Sequence, residues 1–305
     1  MRSTFYKVTI IIVLLLMYKK QYAQQDPQYT QYMYNTMSVN PGYAGQREVL
    51  NVTGLYRTQW VGLDGAPETQ TFAVHSPLRN ENIGLGFSVV NDKLGPSSEV
   101  YADANFSYTT PLDNNFTKLS FGLKTGFHNL NLDWSKGIYQ DPDLLFNQPV
   151  NLWSPSIGAG IYLHSRKWYV GLSVPNFITT NHYDDFQESV AAERMHYFLI
   201  GGYVMYLSDD LALKPAFLVK AVSGAPLIAD VSANLLIKEK VTLGLAWRWD
   251  DSVSALVGFQ VSNNVYIGYA YDLTSTHLNN YNSGTHEIMI RFEPSIRRLI
   301  SPRFF

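Results

Sequence analysis

Val241-Thr-Leu-Gly-Leu-Ala-Trp-Arg-Trp249 is the stretch that decides how this chain folds. Val241, Leu243, Leu245, Trp247 and Trp249 share one parity, and Thr242, Gly244, Ala246 and Arg248 share the other. Side chains of a β-strand alternate between faces, so the stretch has one greasy face and one small or polar face. Segment 82–90 repeats it, with Ile83, Leu85, Phe87 and Val89 set against Gly84, Gly86 and Ser88. A soluble sandwich needs only a few such segments. Here the period returns from Val49 to Phe292 in about fourteen segments, which predicts a closed barrel with lipid outside and a polar lumen.

The predicted strands run roughly over 48–57, 69–76, 82–90, 98–110, 117–130, 155–164, 167–175, 195–207, 210–220, 227–237, 240–249, 252–261, 264–273 and 284–293, with ends good to a few residues. Their connections sort by parity. The even-numbered ones are tight, among them Ser165–Arg166, Ser208–Asp209, Lys238–Glu239 and Ser262–Asn263. The odd-numbered ones include the long Thr58–Pro67, Asn131–Trp153, Asn176–Arg194 and Thr274–Ser283; Asn91–Ser97 is intermediate, and Ala221–Pro226 and Asp250–Asp251 are short exceptions. Short periplasmic turns and longer extracellular loops are the habit of outer-membrane barrels. The expected fold is therefore all-β: a single transmembrane antiparallel β-barrel of about 14 strands. Aromatics near strand ends (Tyr56, Trp168, Trp249, Tyr271, Phe292) suit interfacial girdles, although aromatics also favour strands in general.

Composition agrees. Of 305 residues, 46% are hydrophobic and only 16% charged, and tyrosine alone numbers 21, which is too aromatic a mix for disorder. The net charge of -2 gives no reason to expect a nucleic-acid partner. There is no cysteine, which excludes thiolate metal sites, disulfides and a thiol nucleophile. At the amino terminus, Arg2 and Lys7 flank an apolar run, Val8–Met17, followed by a polar stretch ending in Tyr22-Ala23-Gln24. The run has about half the length of a spanning helix, favouring a secretory signal peptide cut near Ala23 over a membrane anchor. The expected organisation is a signal peptide at 1–23, a periplasmic or plug segment at 24–47, the barrel at 48–293 and a periplasmic tail at 294–305. A cleaved signal leaves the mature amino terminus on the periplasmic side.

Alternation turns Arg57, Glu99, Asp103, Lys118, Lys124, Lys214, Lys220, Asp230, Arg248, Glu287 and Arg291 inward. Mixed signs predict a network that braces the wall, whereas a single-sign ring would indicate ion selectivity. Inward glycines, including Gly84, Gly86, Gly122, Gly160 and Gly268, leave room for a plug, a passing segment or water. Strand 195–207 breaks the pattern: His196, Phe198 and Ile200 oppose Tyr197, Leu199 and Tyr203, so both faces are apolar and that wall is expected to pack on something besides lipid. The segment Gln24–Gly45 is polar and aromatic. Tyr29, Tyr32, Tyr34, Asn40, Pro41 and Tyr43 are its candidate packing residues, and Asn40-Pro41-Gly42 is a strong turn signal. A plug inside the lumen and a disordered periplasmic arm both accommodate it; the tyrosines favour the plug.

The run Gln25-Asp-Pro-Gln-Tyr-Thr-Gln-Tyr-Met33, followed by Asn40-Pro-Gly-Tyr-Ala-Gly45, resembles the start of the PorP/SprF family. Tyr56-Arg-Thr-Gln-Trp60, Gly65-Ala-Pro67 and the last strand, Gly284-Thr-His-Glu-Ile-Met-Ile290, are similar as well. The likeness covers nearly the whole mature chain; Gly42, where alanine is expected, is a small departure. The resemblance implies an outer-membrane protein of the type IX secretion machinery in Bacteroidetes-type bacteria. It further implies that an exported substrate protein, such as a gliding-motility adhesin, and a periplasmic component of the machine are partners.

The carboxyl-terminal residues after Pro294 carry Arg297, Arg298 and Arg303 and end in Phe304-Phe305, with no acidic residue. Such a peptide suits capture by a partner through its carboxylate, aromatic rings and basic groups. An insertion signal or a tail tucked against the barrel mouth fits equally.

Catalysis finds little support. Of seven histidines, none stands in a metal-spaced motif. His182, Asp184, Asp185 and Glu188 form the closest cluster, in a long loop, and Asp141-Pro-Asp143 is weaker; a solvated acidic loop is the commoner meaning. No Gly-x-Ser-x-Gly elbow exists, and Ser154 and Ser156 merely flank Pro155. No cofactor, metal or catalytic residue is expected. The sequence thus points to a non-enzymatic barrel that docks exported proteins and contacts periplasmic machinery, with a plugged channel for a small hydrophobic or amphipathic solute as the alternative.

Overall fold

The computed structural model describes residues 27–113, 117–136, 149–178, 195–222 and 225–294. The predicted signal segment 1–23, the Asp141 and His182 loop clusters, and Arg297, Arg298, Arg303, Phe304 and Phe305 lie outside the described residues.

The strands are β1 (Asn51–Thr58), β2 (Glu68–Pro77), β3 (Ile83–Leu94), β4 (Ser97–Pro111), β5 (Lys118–Leu132), β6 (Val150–His164) and β7 (Trp168–Val174). They continue as β8 (His196–Tyr203, resumed after Val204 as Met205–Tyr206), β9 (Leu211–Val222) and β10 (Ile228–Ile237), then β11 (Val241–Arg248), β12 (Ser252–Gln260), β13 (Val265–Thr274) and β14 (Thr285–Phe292). Each pairs antiparallel with its neighbours in sequence, and β1 closes the ring on β14, with Arg57 opposite Glu287. The result is a closed barrel of 14 strands with no free edge.

The outer face is bare and apolar. Leu245 is 66% exposed, Phe127 62% and Leu123 60%. A ring of such residues is untenable in water and native to acyl chains. The core lies inside the ring, where the inward residues meet Tyr29, Tyr32, Met33, Tyr34, Met37 and Tyr43 of the amino-terminal segment.

Three local differences from the sequence reading have physical causes. β6 starts at Val150, before Pro155, because β7 pairs with β6 only from Ala159 onward and Pro155 has no β7 partner to fail. That lengthens the β5–β6 hairpin and shortens its loop. β3 and β4 run almost together, leaving Gly95 and Pro96 between them, with Gly95 at φ +55 supplying the reversal. The third difference concerns the amino-terminal segment. Its first described residues, Pro27 and Gln28, stand at the end of the barrel bearing the odd-numbered connections, here the loop end, and not at the turn end, where β1 begins. The segment then descends the whole lumen before turning into β1, because its polar groups find partners at successive levels of the wall.

Candidate functional site

The amino-terminal segment is tied to the wall from top to bottom. Near the loop end, the Thr30 and Gln31 amides donate to the two Glu287 carboxylate oxygens at 2.9 and 2.8 Å. The Thr30 hydroxyl donates to Asp272 at 2.7 Å and accepts from Arg57 at 2.9 Å. Arg57 itself reaches Asp272 at 2.8 Å and Glu287 at 3.0 Å. Tyr29 shares a hydrogen bond with Thr71. At mid-height, the Lys214 ammonium sits 5.4 Å from the Tyr34 ring centre and 5.5 Å from that of Tyr169. Tyr32 is buried in the same core.

Lower down, Asn40 caps the short 3₁₀ turn Pro41–Tyr43 by accepting the Gly42 amide, and donates to the Ile161 carbonyl of the adjoining wall at 3.0 Å. Ser173 donates to the Val39 carbonyl and Ser107 to that of Ala44. Tyr43 meets His75 and Tyr162 edge-on. At the turn end, Arg47 binds Glu293 at 2.7 Å. Burial favours the protonated form of Glu293, but Arg47 and Arg291 overcome it and hold the carboxyl well below the usual range.

The wall is shaped for this occupant. A Cβ on Gly122 would overlap the Gly42 amide, one on Gly84 the Ala44 carbonyl, and one on Gly86 the Met37 sulfur. Gly160 and Gly268 stand in the same relation to the side chains of Asn40 and Gln31. The odd inner face of β8 is explained too, since Phe198 and Ile200 pack into the cluster formed by the segment.

The other inward charges pair locally. Arg248 meets Asp230 at 3.0 Å, Lys124 meets Asp103 at 2.7 Å, and Glu99 meets His128 at 3.1 Å. Lys220 lies 5.9 Å from the Phe198 ring, and Arg291 lies 4.8 Å from that of Tyr266. Lys118 stands apart: its pair with Glu48 is at the turn-end rim and open to solvent. Asp272, Arg47, Glu293 and His128 belong to these arrangements and are absent from the sequence-derived set. Asp272 shares the inward parity of Gly268, His128 that of Lys124 and Glu293 that of Arg291, so that signal was present for all three; Arg47 precedes the first strand, where parity carries no information.

Above the segment, a cavity of about 830 Å³ opens at the loop end. Pro27, Gln28 and Trp60 are among its lining residues. Its carboxylates are Asp92, Glu99, Asp250, Asp251 and Asp272. Its cations are Arg57 and Arg248, both already paired. The rim is held by backbone bonds between loops: Gly95 donates to Gly65, Val61 to Gly284, and Ser283 to Val61, all at 2.7–2.9 Å. Trp60 and Asp250 hold left-handed φ angles of +48° and +55°. Among the described residues, no three His, Asp or Glu side chains are grouped to hold a metal ion.

A family model described as type IX secretion system membrane protein PorP/SprF matches residues 21–292. No curated protein sequence matches the chain. Solved structures with a similar trace include the Acinetobacter baumannii outer membrane protein Omp33, at 11% identity and TM-score 0.47, covering 82% of this chain and 99% of that one. The CymD monoaromatic hydrocarbon channel aligns at 11% identity and TM-score 0.48, over 85% of this chain and 92% of its own. The KdgM porin aligns at 10% identity and TM-score 0.37, over 79% and 98%.

Proposed function

The chain belongs to the PorP/SprF family of type IX secretion system membrane proteins, and from that premise we propose that it works as an outer-membrane dock, holding exported surface proteins at its loop end and contacting the secretion machine at its turn end. The observation that carries the reading is the occupied lumen: residues 29–47 bond to the wall at successive levels from Glu287 down to Glu293. A barrel filled by its own chain has its two mouths as working surfaces. The role is binding, not turnover. The loops between β5 and β6 and between β7 and β8 are the proposed grips for cargo of the adhesin type, and the basic-aromatic tail from Arg297 to Phe305 is the proposed contact for a periplasmic component. The same filling weighs against the solute-channel reading, because a conduit would require the segment to leave.

Cell fractionation tests the proposal. In a strain lacking this protein, a type IX cargo of the adhesin class is expected to be missing from the cell surface, and a copy lacking residues 295–305 is expected to insert normally yet fail to restore it. Cargo at full surface level in the null strain would contradict the docking role.

A further inference from the structure

We propose that the loop-end cavity binds a basic, tryptophan- or tyrosine-bearing peptide segment presented by a surface polypeptide. The proposal rests on the docking role proposed above and gives that role a location in described residues. Size comes first: about 830 Å³ lies within the range of sites that enclose a ligand of many atoms, far beyond the needs of an ion or a water. Below it, the lumen segment blocks passage, so an occupant binds there and does not transit.

Charge selects the occupant. Five lining carboxylates face two guanidiniums. Those guanidiniums are shared further with Glu287 and Asp230, which deepens the imbalance. The low-dielectric walls focus this negative potential on whatever enters. The carboxylates are spread around the cavity and not gathered into a ligand set, which suits several cationic side chains on one chain better than a single metal ion. Trp60, also in the lining, supplies an aromatic group for guanidinium or aromatic partners. Two further groups point to a backbone. Gln28 Nε2 and Ser97 Oγ are buried at the cavity without a hydrogen-bond partner among the described residues. An amide donor and a hydroxyl are the partners that a peptide C=O and N–H require. Loop-to-loop bonds and the left-handed Trp60 and Asp250 fix the rim in advance, so little ordering remains to oppose binding.

The test uses the full mature chain in phosphatidylcholine nanodiscs and a fluorescein-labelled peptide, Gly-Arg-Trp-Arg-Gly, read by fluorescence anisotropy against empty discs. Saturable binding that weakens with added salt is expected, with no binding of the counterpart carrying Glu for Arg. The double variant Asp92→Asn and Asp250→Asn should bind about tenfold more weakly, about 1.4 kcal/mol for the two charges together. Asn keeps the left-handed preference needed at position 250, and heat-modified gel mobility verifies that the barrel has formed. Trp60→Ala should weaken binding independently, and Glu48→Gln at the opposite mouth should leave it unchanged. Equal binding of both peptides, or full affinity in the folded double variant, would overturn the site. Surface cargo lost in the null strain but fully restored by the double variant would overturn this site while leaving the docking role standing.

Discussion

The Arg57 guanidinium holds Asp272, Glu287 and the Thr30 hydroxyl from a position only 3% exposed. Removing it strands two buried carboxylates, and breaking a buried ion pair in this way typically costs about 3–5 kcal/mol. Arg57→Met should therefore lower the urea unfolding midpoint of the lipid-reconstituted barrel substantially. Lys118→Gln, which breaks the solvent-open pair with Glu48, should shift it by no more than about 1 kcal/mol. Equal effects of the two would show that the interior pair is not the brace described. At this scale the sequence revealed which charges turn inward but not whom they meet. Parity gives a face, whereas Arg57 finds Asp272 only because ring closure brings β1 beside β14 and hence close to β13. Asp272 obeys the same inward parity as Gly268 and was legible by the same rule. Glu293 shares the parity of Glu287 and Arg291 at the end of the predicted strand 284–293, whereas Arg47 precedes the first strand, where alternation does not apply.

Strands were the most legible elements, because a buried-versus-lipid contrast is imposed on every second residue from end to end. Boundaries failed where another rule intervened: Pro155 reads as a strand limit but is harmless on a stretch without a β7 partner. The apolar inner face of β8 was visible as an anomaly, and the lumen segment explains it. The direction of that segment was not legible, since its amides and side chains bind wall residues that come together only in the closed ring. Its seat is set by glycines. Gly122→Val would drive a side chain into the Gly42 amide, and overpacking of this kind costs about 1–3 kcal/mol. Backbone amides of residues 36–45 are expected to exchange with deuterium faster in this variant while the barrel strands stay protected. Gly54→Ala, where a Cβ meets nothing within 4 Å, is the matched control and should leave exchange unchanged. Unaltered exchange in Gly122→Val would mean that the segment is not seated by that contact.

As a whole, the molecule is a cylinder whose oily outside is set by alternation and whose inside is completed by its own residues 27–47. Neither part is sufficient alone: without the segment, the inward Phe198, Ile200 and Lys214 lose the tyrosines and methionines they pack on. Function at this scale follows from closure. A filled cylinder presents two mouths, and the acidic cavity at one of them is preformed, whereas an empty one would conduct. Conductance across a planar bilayer measures the difference directly. The intact mature chain is expected to insert silently, and the chain lacking residues 24–45 is expected to open a stable ion-conducting pore. Steady open-pore current from the intact chain, or silence from an inserted, heat-modifiable deletion, would contradict the account.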